Sequence, residues 1–135
     1  MEFVSYKIAK KLKEKGFSKL CFATYDRDGM LGYNYCQPTT IRAISFEECM
    51  SIHGSDDNCI DAPTISQVLK WLRDEKDIFI EITVDVNDKF NYYFEIYKKG
   101  NDTWEYIGQN DTYDYFEMYE EAALAGVKYT LDNLI

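Results

Sequence analysis

Proline and glycine are scarce, at two and seven in 135 residues. That scarcity excludes a collagen-like, low-complexity or disordered chain. Histidine is reduced to one, His53, so any imidazole chemistry falls to that residue. No apolar run approaches the roughly 20 residues that a membrane span needs. The amino-terminal MEFVSYKIAKKLKEKG is amphipathic and lacks a cleavable apolar core, so neither an anchor nor a secretory signal is expected. The GxGxxG, P-loop, HExxH, GxSxG and EF-hand patterns are all missing, which weighs against a nucleotide enzyme or a zinc hydrolase of a familiar kind.

Positive charge is also short. Fifteen Lys and Arg face twenty-four Asp and Glu, for a formal net charge of −9. Such a field repels nucleic acid unless the bases cluster on one surface. The densest basic run, Lys7, Lys10, Lys11, Lys13 and Lys15, lies on the first expected helix. It reads as a solvated face or a contact for an acidic partner. Four cysteines without a secretory signal read most simply as free thiols in a reducing compartment. Together these features predict a cytoplasmic protein that binds neither nucleic acid nor membrane.

What is present is a core and a sheet. Hydrophobic residues make up 46% and aromatics 16%, with twelve tyrosines. Aromatic side chains favour strands, and the length suits one domain. Val4, Ile8 and Leu12 repeat every four residues and predict a helix over 4–15 stopped by Gly16. Phe17 is expected to fold back over its last turn. LCFATYD (20–26) and LGYNY (31–35) predict a hairpin around Asp28-Gly29. Residues 36–62 read as an irregular excursion. Ser45-Phe46-Glu47-Glu48 fits a capping box there, for a short helix over 46–52.

A helix over 65–76 follows. Its stripe is Ile65, Val68, Leu69 and Leu72, flanked by Trp71. Strands are predicted over 78–86, 90–97 and 103–108, and a last helix over 119–133. In that helix, small residues in the stripe Ala122, Ala123, Gly126 and Val127 imply a close approach to the sheet. The order α-β-β-(α)-α-β-β-β-α requires no parallel crossover. It predicts one α+β domain with a mainly antiparallel sheet of about five strands and helices on one face.

The segments AKKLKEKGF, APTISQVLKWLRDEKDIFIEI and YEEAALAGVKYTLDNLI resemble a group of small uncharacterised proteins of gut Bacteroides-type bacteria and their phages or mobile elements. The resemblance covers most of the chain and is weakest over 26–61. It implies a bacterial or phage cytoplasm and the same order of elements. It brings no activity, cofactor or catalytic residue with it, and none is assigned here.

Four constellations bear on chemistry. Cys36, Cys49, His53 and Cys59 crowd one segment and offer zinc donors, although no paired C-x-x-C knuckle frames them. A cysteine with His53 would make a nucleophile–base pair, but nothing selects one thiol over the others. Alternation in the second hairpin places Ile78, Ile80, Ile82, Val84 and Val86 on one face and Phe79, Glu81, Thr83 and Asp85 on the other. Matching aliphatic to aromatic faces requires paired residue numbers with an even sum. If Val86 pairs with Phe90, Glu81 sits opposite Glu95 and Asp85 opposite Asn91. A two-residue shift pairs Asp85 with Tyr93 and Glu81 with Tyr97. The first register sets two carboxylates together, either solvated, bridged by a cation or sharing a proton.

The fourth constellation is a surface. Phe79, Tyr93 and Tyr97 lie among Glu81, Asp85, Glu95 and Glu105 on the non-aliphatic face. If that face is open, Phe79, Glu81, Tyr93, Glu95 and Tyr97 form a partner-binding patch. The reading favoured is a small non-catalytic interaction domain that holds a protein partner or a second copy. The alternative is a small enzyme or a ligand- or metal-binding domain with its site between 36–62 and the sheet.

Overall fold

A computed structural model describes residues 2–33, 35–37, 40–41, 59–87, 91–109 and 115–135. They form two compact units, Met1–Thr64 and Ile65–Ile135. The expected short helix over 46–52 lies outside the described residues, as do Cys49 and His53.

In the first unit, helix α1 is Tyr6–Glu14. The Ser5 side chain accepts from the Ile8 N–H at 3.3 Å and satisfies one of the free amides of its first turn. The helix ends as its sequence predicts. Gly16 takes φ +89°, a conformation that costs glycine little. The Gly16 N–H then reaches the Lys13 carbonyl at 3.1 Å and the Phe17 N–H the Leu12 carbonyl at 2.9 Å. This is a Schellman closure, and it turns Phe17 back into burial.

Strands β1 (Ala23–Tyr25) and β2 (Leu31–Tyr33) make the expected hairpin. Asp26 Oδ1 accepts from the N–H groups of Asp28 and Met30, and Gly29 supplies φ +79°. A type I turn closed by a left-handed glycine has this form. Strands β3 (Tyr35–Gln37) and β4 (Thr40–Ile41) form a separate two-stranded ribbon. Strand β5 (Ile60–Ala62) pairs with β1, giving the order β2-β1-β5. Helix α1 packs against β5. The buried Tyr25 hydroxyl donates to the Val4 carbonyl at 2.6 Å.

In the second unit, α2 (Ile65–Glu75) leads into β6 (Ile78–Asp85), β7 (Asn91–Lys99) and β8 (Trp104–Gln109), and α3 (Tyr119–Asn133) closes it. The sheet order is β6-β7-β8, antiparallel throughout. Both helices pack on this sheet and on each other. Ile78, Ile80, Phe94 and Ile96 are buried on the aliphatic side. That side opens toward its far end, where Val84 is 39% and Val86 63% exposed. The expected aliphatic face is therefore a core only over its first half.

The α+β class and the antiparallel pairing hold, but the strands do not join into one sheet of about five. They fall into three sheets among the described residues. The outer edges of β2, β5, β6 and β8 take no further strand among the described residues. β1 satisfies both of its edges with β2 and β5, and β7 satisfies both of its edges with β6 and β8. The irregular reading of 36–62 is corrected at both ends, where Tyr35–Gln37 pairs with Thr40–Ile41 and Ile60–Ala62 pairs with β1. A run of three residues is too short for its alternation to register.

Candidate functional site

The candidate site is the face of β6-β7-β8 opposite the helices. Of the two registers open from sequence, the structure adopts the first. Phe79 lies opposite Tyr97, Glu81 opposite Glu95, Thr83 opposite Tyr93 and Asp85 opposite Asn91. The five predicted patch residues, Phe79, Glu81, Tyr93, Glu95 and Tyr97, therefore share one face by strand alternation.

Two residues on β8 complete it. Trp104 lies 6.0 Å from Phe79 and Tyr106 5.6 Å from Tyr97 between ring centroids, with Phe79 6.4 Å from Tyr97. Farther along, Tyr93 meets Tyr115 edge-on at 6.0 Å. These spacings are those of favourable tilted and edge-to-face aromatic pairs. Phe79, Trp104 and Tyr106 are 37%, 42% and 55% exposed, so the rings are in contact yet open to solvent.

The β8 residues escaped sequence reasoning for a definite reason. Ile96 faces Gly108, but Tyr97 faces Tyr106 and Lys98 faces Glu105. One extra residue on β8 bulges between these pairs. The bulge reverses the faces of every β8 residue before it. Glu105, expected among the aromatic residues, is turned to the other side, and Trp104 and Tyr106 replace it. Glycine within a strand is the signal that marks such bulges, and Gly108 sits beside this one.

Glu81 and Glu95 stand directly opposite each other, which is unfavourable for like charges. Among the described residues no Lys, Arg or His side chain pairs with either. Tyr97 relieves Glu95 in part by donating its hydroxyl to Oε2 at 2.8 Å. That hydrogen bond, with burial and the charges of Glu95 and Glu81, pushes the Tyr97 phenol up to about 12. Burial and the Glu95 charge also raise Tyr93. Asp85 is engaged locally, accepting from the Asn87 N–H at 3.0 Å. Glu95→Gln removes the main cause at Tyr97. Its phenol is expected to fall from about 12 toward the ordinary value near 10, read from tyrosine ring-carbon NMR shifts across an alkaline titration. An unmoved Tyr97 resonance would refute the assigned hydrogen bond.

The expected zinc set is not assembled among the described residues. Cys49 and His53 lie outside them, and of Cys36 only the backbone, in β3, is described. Cys59 and Cys21 are buried and outside any disulfide. Burial and the nearby Asp61 raise the Cys21 thiol, which keeps it protonated and unreactive.

A second polar feature lies in the first unit. Ala9, Lys13, Gly16, Phe17, Ser18 and Asp61 line a half-open cleft of about 250 Å³. Asp61 Oδ1 is fully buried and has no hydrogen-bond partner among the described residues. Burial, opposed by the Lys13 charge, raises the Asp61 carboxyl from 3.8 to about 6. The native state thus holds this proton more tightly than the unfolded chain does. The stabilisation is fully present below about pH 4 and is lost as pH rises through 6. Asp61→Asn is expected to stabilise the chain at pH 7.5 by about 2 kcal/mol, because the aspartate is held there as a part-buried anion. At pH 4 the gain should vanish. Urea denaturation of both proteins at the two pH values measures the difference, and an equal gain at both would contradict the ionisation argument.

No protein-family model, curated protein or solved structure matches the chain. The class defined by fold and site together is an α+β chain with an open aromatic and acidic sheet face. No helix among the described residues is long and apolar enough to cross a membrane.

Proposed function

We propose that this chain is a non-catalytic protein-interaction domain of a bacterial or phage cytoplasm. It acts through the aromatic, acidic face of β6-β7-β8. One observation carries the reading: Trp104, Phe79, Tyr97 and Tyr106 touch in sequence on an exposed face while both helices of the unit cover the other. Clustered aromatic residues of this kind supply large contact area at little side-chain entropy cost. They dominate interface energetics where they occur.

A benzophenone amino acid placed at Tyr106 and activated by light in bacterial cells of the type the resemblance implies tests the reading. The expected result is an adduct of discrete mass, lost when Tyr97→Ala is added. The same probe at Lys128, exposed on α3, should give no such adduct. Light scattering reports whether the captured partner is a second copy. A featureless adduct pattern at both positions together with a plain monomer would remove the proposal.

A further inference from the structure

The patch contains a charge arrangement that its own unit leaves incomplete. Glu81 and Glu95 are set face to face across the β6–β7 pair. Nothing cationic among the described side chains neutralises them. The aromatic group of Phe79, Tyr97, Trp104 and Tyr106 adjoins this row on one side, and Tyr93 with Tyr115 adjoins it on the other. Among the described strand residues, alternation puts one cation on this side of the sheet, Lys99, at the far end opposite Trp104.

A carboxylate pair flanked by aromatic rings is complementary to a planar, weakly hydrated cation. A guanidinium stacks on aromatic rings and donates two parallel N–H bonds to a carboxylate, which an ammonium does less well. We infer that the face recognises an arginine-bearing, basic segment of a protein partner, with the guanidinium seated over the Glu81–Glu95 row and stacked on the neighbouring rings. This rests on the interaction reading above and adds the chemistry of the partner. The same face of a second copy is disfavoured, since it would bring two more carboxylates against these two.

The probe is an acetylated, amidated Gly-Arg hexapeptide with three arginines, titrated into the ¹⁵N-labelled full chain at low salt. Counterparts carrying lysine or glutamate in place of arginine serve as comparisons. Amide shifts are expected to concentrate at Phe79, Glu81, Glu95, Tyr97 and Tyr106. The arginine peptide should bind several-fold more tightly than the lysine one, and the glutamate peptide not at all. The double variant E81Q/E95Q should weaken arginine-peptide binding at least tenfold. Glu81→Lys supplies the missing cation from within, so it should abolish binding while raising thermal stability. That second variant keeps the test decisive if the glutamines perturb the fold.

E120Q/E121Q removes the same charge from the first turn of α3 and should leave the dissociation constant within twofold. Shifts spread over the whole acidic surface, with both double variants weakening binding equally, would show only general attraction to a chain of charge −9 and would overturn the inference. So would a mass that doubles with concentration and is sensitive to the α1 lysines, which would seat a second copy there. If the Tyr106 adduct forms in cells but the peptide ignores E81Q/E95Q, the interaction reading survives and the arginine assignment falls. If the adduct and the mapped shifts are both absent, both fall.

Discussion

Replacing Gly126 by leucine is expected to cost the chain about 3 kcal/mol or more. α3 meets the sheet at this residue. A Cβ placed on Gly126 would stand 2.9 Å from Ile80 Cγ2 and 3.2 Å from Phe94 Cγ. Neither atom can swing away. Ile80 Cγ2 is fixed to a branched Cβ, and the Phe94 ring is buried at 4% exposure. Thr130 adds a restraint, since its buried hydroxyl donates to the Gly126 carbonyl at 2.9 Å and pins the turn that would have to move.

Gly126→Ala is the subtler case. Alanine gains about 1 kcal/mol of helix propensity over glycine, and overpacking costs about 1–3 kcal/mol. A net loss near 1 kcal/mol is expected. Ile80→Leu removes the offending Cγ2 methyl, so in the double variant the alanine should become favourable by about 1 kcal/mol relative to the sum of the single changes. Urea denaturation followed by far-ultraviolet circular dichroism measures the cycle. Simple additivity would show that the helix relaxes away from the sheet instead.

Trp71→Ala is the second large effect, expected at about 3–5 kcal/mol. Trp71 is 2% exposed, with the Lys76 ammonium 5.2 Å from the ring centroid. Leu69, which the helical stripe predicts to be central, is only half-buried, and its truncation to alanine should cost far less. The comparison of the two midpoints is the check, and equal losses would contradict the burial pattern. The buried stripe of α2 is Ile65, Val68, Trp71 and Leu72. It is rotated from the expected one toward the indole. Both stripes satisfy helical spacing, and only the volume available beneath the helix distinguishes them. A tryptophan buries more apolar area than a leucine, so the helix turns to place it inward.

The candidate site was legible to a similar degree. Alternation along IFIEITVDV and FNYYFEIY limits the hairpin to registers that keep Ile80 and Ile96 on one side. Every such register puts Glu81, Glu95 and Tyr97 together on the other. The choice between them belongs to the core. In the observed register Ile80 faces Ile96 and Ile82 faces Phe94. The contribution of β8 was not legible, because one bulged residue reverses its faces and leaves composition and alternation unchanged. β5 was hidden for another reason. Three residues are too few for their alternation to stand out until β1 offers an edge.

The sequence by itself determined the elements whose causes are local. These are α1 with its Gly16-Phe17 closure, the Asp26–Met30 turn, the span of α3 and the two-sided character of β6 and β7. Each follows from dihedral preference, capping or alternation over a few neighbours. Only the tertiary structure decided which edges paired, which side of α2 turned inward and which rings joined the carboxylates on the open face. Those outcomes depend on the volumes and free edges that distant segments present to one another, and no window of neighbouring residues contains that information.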